Sequence, residues 1–340
     1  MLGQWSTSIK NSSALYSKAG HHIRFNCSSS AMELFEISRR VTEQPPPCVF
    51  ILFIHVEKSG GSTWTSIFQN RTLFQFISYV EENGDPSQDE ADLQLWEKGE
   101  KELRLSWGTV RRALSTNDDF IRKHSRLVLE VHGRINVRHL LEEIESLGHN
   151  HDTAFSRRGC QFISFMNIRE PMRYLKSNIA TNLEYFPNKA LLEPEFPVDT
   201  NPDALGYRSF LESKSRYLVD LECRFIVTYL GDEEMMDKIM NQSAPQLDFN
   251  ELLPSLDKIR FIGLTSCHSL NILLLAHILG EPELLQYSNL RLNVGIRNLP
   301  SYVSQFMEDA IDKSLCDKSL YSHGISRFRE EIRQRFGVIV

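Results

Sequence analysis

Val49-Phe50-Ile51-Leu52-Phe53-Ile54-His55-Val56 runs without a break into Glu57-Lys58-Ser59-Gly60-Gly61-Ser62-Thr63-Trp64. The first eight residues are apolar and rich in β-branched and aromatic side chains, which predicts a buried strand. Ser62–Gln69 then reads as a helix. Two adjacent glycines between them let the backbone bend close to a ligand. The N–H groups of Gly60 to Thr63 are expected to face inward at the start of that helix, where the helix dipole favours an anion. Ser62 and Thr63 could cap the helix or bond an anion's oxygens. Strand, lysine, Gly-Gly, Ser/Thr and helix, in that order, read as an anion cradle; the plainer reading is a glycine turn between two elements. The cradle departs from the nucleoside-triphosphate loop, which needs Gly-Lys-Ser/Thr at its end, because Lys58 precedes the glycines and no lysine follows them.

Outward from this unit the chain alternates. Strands are expected at Arg126–Val131, Gln161–Ile168, Arg224–Tyr229 and Arg260–Leu264, and helices at Val137–Leu147, Pro171–Leu183 and Leu270–Leu279. Such alternation predicts an α/β fold, a P-loop-like three-layer domain with a central, mainly parallel sheet flanked by helices. Ligands of these sheets bind beyond the carboxyl ends of the strands.

At one such end stands Arg169-Glu170-Pro171-Met172-Arg173-Tyr174-Leu175-Lys176-Ser177. Pro171 suits the first position of a helix. Arg173 and Ser177, four residues apart, share a helix face. An arginine can grip a phosphate bidentately and a hydroxyl adds one more bond. An arginine paired with a neighbouring acid is the plainer reading.

Together the two stretches resemble the sulfotransferases that use 3′-phosphoadenosine 5′-phosphosulfate. The family's first loop, of the form Pro-Lys-Thr-Gly-Gly-Thr-Thr, holds the 5′-phosphosulfate, and Glu57 stands here where proline is usual. Its second, Arg-Asp/Glu-Pro followed by Arg and Ser, holds the 3′-phosphate and is matched by Arg169, Pro171, Arg173 and Ser177. Phe261-Ile262-Gly263-Leu264-Thr265, Leu292-Asn293-Val294 with Arg297, and Asp317, Leu320-Tyr321, Arg327-Phe328 are similar to further family segments. The likeness runs from Val49 to Phe336 and is greatest to the heparan sulfate 6-O and 2-O enzymes. It implies transfer of a sulfuryl group to an acceptor hydroxyl on a carbohydrate, with no metal. Donor contacts fall on Lys58, Ser59, Gly60, Gly61, Ser62, Thr63, Trp64, Arg169, Ser177 and Arg297. Lys58 is also the expected catalytic cation.

Sulfuryl transfer needs a base for the acceptor proton, and histidine suits neutral pH. His132, in Glu130-Val131-His132-Gly133-Arg134, follows a strand as the family's catalytic histidine does, with Arg134 where a second histidine can stand. His132 is the expected base. His55 reads as structural. Glu130, Arg134 and Arg112 are the expected acceptor contacts.

Charge limits the alternatives. With 38 Lys and Arg against 44 Asp and Glu, the formal charge is −6 and the pI about 6.0, so no global field favours nucleic acid. Residues 81–102 carry nine acids against two lysines. Residues 103–139 reverse the sign, with eight Lys and Arg against three acids, and could wall an anionic glycan or simply form a solvated, paired face. The apolar runs Cys48–Val56 and Leu270–Leu279 fall short of the roughly 18 residues of a membrane span.

The first 30 residues hold eight serines and no acid, composition shared by flexible tails and transit peptides. Pro45-Pro46-Pro47 is a stiff spacer, so we expect a flexible segment at 1–47 and the sulfotransferase domain at 48–340. Family likeness implies the Golgi lumen; a cytoplasmic or organellar place is the alternative. Asn11, Asn26, Asn70 and Asn241 open glycosylation triplets that matter only in the secretory pathway. Six cysteines without a CxxC pair argue against a zinc site and fit reduced core thiols at least as well as disulfides. Three rival functions stand: a P-loop-type phosphotransferase or nucleotide kinase, a sulfotransferase of small hydroxylated metabolites, and a binding module without catalysis. Oligomeric state is left open.

Overall fold

A computed structural model describes Cys27 and residues 46–56, 58–70, 73–78, 80–81, 105–131, 137–189, 218–240, 247–287 and 301–336. The elements in chain order are β1 (Val49–Ile54), α1 (Gly61–Phe68), β2 (Gln75–Ser78), β3 (Val80–Glu81), β4 (Leu105–Ser106), α2 (Trp107–Thr116), α3 (Asp118–Lys123), β5 (Arg126–Val131), α4 (Val137–His149), α5 (Ala154–Arg157) and β6 (Gln161–Ile168). They continue with α6 (Pro171–Lys189), α7 (Leu221–Leu230), α8 (Glu233–Met240), α9 (Phe249–Leu256), β7 (Phe261–Leu264), α10 (His268–Leu279), α11 (Ser301–Lys313) and α12 (Leu315–Phe336).

Five strands form one parallel sheet in the order β2-β5-β1-β6-β7. The expected α/β architecture with a parallel sheet is therefore present. Every residue of β1 is buried. Successive strand residues point to opposite faces, so both faces of the sheet are covered and β1 is its centre. The register sets Phe53 beside Phe165 and Phe165 beside Phe261. Their rings stack at 5.3 and 4.8 Å, and Trp64 of α1 meets Phe165 edge-on at 4.6 Å. Aromatic pairs of this kind add about 0.5–1.5 kcal/mol each beyond their buried area. This ladder clamps α1, and with it the turn that precedes α1, against the sheet.

One expectation is corrected. Arg224–Tyr229 is not a strand; it lies inside helix α7. A short apolar, β-branched run fits a buried helix as well as a strand, and the helix is secured from outside its own sequence. Asp317 of α12 accepts the N–H groups of Glu222 and Cys223 in the first turn of α7 (3.4 and 2.8 Å). Asp220, just before α7, accepts those of Cys316 and Asp317 at the start of α12 (2.8 and 3.3 Å). Each helix start is thus capped by an aspartate that belongs to the other. The cysteines, left open between reduced thiols and disulfides by the sequence, are oxidised in three disulfides: Cys27–Cys267, Cys48–Cys160 and Cys223–Cys316. The last sits beside the reciprocal caps, and Cys48–Cys160 ties the amino ends of β1 and β6. Among the described residues no helix is long and apolar enough to cross a membrane.

Candidate functional site

β1 stops at Ile54, two residues before the expected Val56, and the chain turns at the carboxyl edge of the sheet. His55 still donates its N–H to Val131 at the end of β5 (3.1 Å). Lys58 then takes φ 60° and Gly60 φ 86°. Glycine reaches this left-handed region freely, whereas lysine does so at a cost of about 1–2 kcal/mol. Such a cost persists only where surrounding contacts hold the residue in place.

Those contacts are specific. The Arg169 guanidinium donates through Nη1 to the Lys58 carbonyl oxygen (2.9 Å). The Thr265 hydroxyl lies within bonding distance of the carbonyl oxygens of Ser59 (2.9 Å) and Ile168 (3.0 Å). The Ser59 hydroxyl donates to Glu222 Oε1 (2.5 Å), and so does the Arg169 N–H (2.9 Å). The two sequence stretches are therefore one structure: the strand-end arginine after β6 grips the turn after β1. Burial lowers the Arg169 guanidinium from its ordinary value, and Glu222 pulls it back up. Glu170 caps α6, accepting from the N–H groups of Met172 (3.2 Å) and Arg173 (2.9 Å), so Pro171 occupies the first helical position as expected. Arg173 is exposed and Ser177 half-buried.

The glycine pair does two different jobs. Gly60 supplies the left-handed residue at the N-cap of α1. The Thr63 N–H donates to the Gly60 carbonyl (3.2 Å), so of the amides expected to face inward from Gly60 to Thr63 that of Thr63 is taken within the turn. Gly61 is needed for room. A Cβ there would lie 1.8 Å from His55 Nε2. His55 is fixed in that position: Nδ1 pairs with Glu130 Oε1, and Tyr229 donates to the His55 carbonyl (3.1 Å). Thr65 of α1 also donates to Glu130 (3.0 Å).

Several expected contacts change role. The Trp64 side chain is fully buried among Phe68, Phe165 and His268, so it is a core residue rather than a donor contact. The Ser59 hydroxyl is spent on Glu222, which leaves only its backbone for a ligand. Glu130 is buried and committed to His55 and Thr65, so it orients a histidine rather than an acceptor. Arg112 is exposed on α2. Four of the basic stretch's described arginines are paired: Arg111 with Glu143, Arg122 with Asp119, Arg126 with Glu281 and Arg138 with Glu142. A cleft of about 320 Å³ between α2 and α4, lined by Arg111, Glu143 and Asn150 among others, contains no residue of the turn. His132, Arg134, Arg297 and Glu57 lie outside the described residues.

Sequence reasoning passed over Glu222, a lone acid beside a run read as a strand, and it set His55 aside. No local signal marked the first; the position of His55 at a strand end, three residues before Lys58, was the signal for the second. Comparison with known protein families, with curated proteins and with solved structures gives no match for this chain.

Proposed function

We propose that this chain is a P-loop-like sulfotransferase that moves a sulfuryl group from 3′-phosphoadenosine 5′-phosphosulfate to a carbohydrate hydroxyl. The observation that carries the reading is the bond from Arg169 to the Lys58 carbonyl (2.9 Å). It joins the two phosphate-type stretches at the carboxyl ends of adjacent central strands, where α/β sheets receive ligands. The residues present suit a doubly anionic ligand. The first N–H groups of α1 lack intrahelical partners by geometry, and Lys58 and Arg169 supply positive charge beside them. When bound, the donor supplies an activated sulfuryl group on a good leaving oxygen. Lys58 offsets the charge that grows on that oxygen as the S–O bond breaks. Arg169 and Ser177 hold the far phosphate and thereby set the line of attack. His132 accepts the proton of the acceptor hydroxyl as the new S–O bond forms.

A carbohydrate acceptor follows from the resemblance, and Arg112 and Arg134 are its proposed contacts. Three disulfides favour an oxidising compartment, which supports a Golgi-lumenal place. There Asn70 is a poor glycan site, because its side-chain amide already bonds the Tyr287 hydroxyl.

Calorimetric titration with 3′,5′-adenosine bisphosphate and with ADP tests the reading. Wild type should prefer the bisphosphate. Arg169→Ala should weaken that ligand roughly tenfold to a hundredfold, the range of one charge-assisted bond, and weaken ADP by less, through the loosened turn alone. Equal affinity for ADP would move the nucleotide-kinase reading ahead. Absence of binding to either would remove both.

A further inference from the structure

Glu222 occupies the first turn of α7 with its side chain wholly buried. Its Oε1 accepts from the Ser59 hydroxyl (2.5 Å) and the Arg169 N–H (2.9 Å), one donor from each half of the anion site. Its Oε2 has no hydrogen-bond partner. A carboxylate in that position is costly, because an ionised oxygen without a donor loses its hydration and gains nothing. A neutral carboxyl, with its proton on Oε2, removes the buried charge and leaves only one O–H without an acceptor, the smaller cost. The charged groups that face it are few. The Asp317 carboxyl on α12 disfavours ionisation and the Arg169 guanidinium after β6 favours it, while burial outweighs both and pushes Glu222 well above the ordinary range. Asp317 is itself held up by burial and by Asp220.

We propose that Glu222 is a positioning residue for the anion site: as a neutral carboxyl it pins the Ser59 turn to the Arg169 backbone, and its ionisation weakens the site for anions. The argument rests on the anion-site reading above. A buried negative charge beneath two phosphate-binding stretches would repel the ligand they hold, at a depth where solvent screens little. Proton binding and anion binding are then linked, each favouring the other.

The test compares wild type, Glu222→Gln and Glu222→Ala. Each is titrated with 3′,5′-adenosine bisphosphate from about pH 6 to about pH 9, and amide hydrogen exchange of residues 58–63 is followed without ligand. Glutamine keeps the accepting oxygen and places an N–H₂ where the proton sits. It should bind as wild type does near neutrality and lose the alkaline decline. Alanine should bind roughly tenfold more weakly near neutrality, show no alkaline decline and exchange faster across the turn. A Glu222→Gln protein that keeps the wild-type alkaline decline overturns the proposal, and so does an alanine variant that binds and exchanges like wild type. If wild type ignores the bisphosphate, the donor reading falls on its own. The exchange comparison then decides whether Glu222 holds the turn: wild-type exchange in the alanine variant overturns it.

Discussion

Replacing Gly61 by alanine should break the site through one ring. The added methyl would stand 1.8 Å from His55 Nε2, 1.9 Å from Cδ2 and 2.6 Å from Cε1. Gly61 itself is not in the left-handed region, so the backbone accepts alanine and the whole conflict lies with the imidazole. To clear it, His55 must leave Glu130 and its stacking on Phe53 at 5.7 Å. Crowding a packed site costs about 1–3 kcal/mol. Stripping a buried carboxylate of a charge-assisted partner costs about 1.5–3 kcal/mol more. The expected loss is thus roughly 2.5–6 kcal/mol, a large share of a typical domain's stability. Urea unfolding of the oxidised protein measures it, provided the slope with denaturant stays constant. The decisive arm is a double-mutant cycle. In a His55→Ala background the methyl has space, and alanine is the better helix former by up to about 1 kcal/mol, so Gly61→Ala should be neutral or stabilising. A Gly61→Ala cost that is equal in both backgrounds would refute the contact.

Three further outcomes follow from the same contacts. Removing Cys48–Cys160, which closes a separation of 112 residues, as Cys48→Ala with Cys160→Ala should lower stability by about 2–4 kcal/mol in denaturant unfolding. An unchanged midpoint would show that the bond does not form. The Asp317 carboxyl is pushed up to about 7 from 3.8 by burial, so the fold holds a proton there that the unfolded chain has lost. Its contribution is full below 3.8 and is lost as pH rises through about 7. Thermal unfolding should show wild-type stability declining towards alkaline pH more steeply than that of Asp317→Asn; identical slopes would contradict the buried acid. Finally, Thr265→Val should loosen the turn, seen as faster amide exchange at Ser59 and Gly60, because the hydroxyl that links the turn to β6 is gone; unchanged exchange would place the restraint in Arg169 and Glu222 alone.

The frame was legible because it is local. Arg126–Val131 and Gln161–Ile168 are strands with the bounds that their apolar runs suggest. Pro171 starts a helix, and the glycine pair ends the first strand's excursion. What the sequence hid is non-local. Ser59 reaches Glu222 across 163 positions, and the disulfides span separations of 240, 112 and 93. No spacing rule encodes such pairs, since topology alone brings them together. Arg224–Tyr229 failed for the same reason: its helix is secured by Asp317, far along the chain.

The charge balance shows how local and global readings part. A chain of formal charge −6 repels a phosphate from a distance. Two acids even flank the turn, Glu130 from β5 and Glu222 from α7. Each is buried and each is occupied, the first by His55 and Thr65, the second by Ser59 and the Arg169 backbone. The hydrogen bonds they make hold the turn. Lys58 and the Arg169 guanidinium stand at the same turn without a described carboxylate bonded to either. In the proposed anion site the acids hold the turn, and the cations with the helix start would give it its sign. Net charge governs approach from a distance. The sign of this site is set within a few ångströms, by which carboxyls the fold has already used.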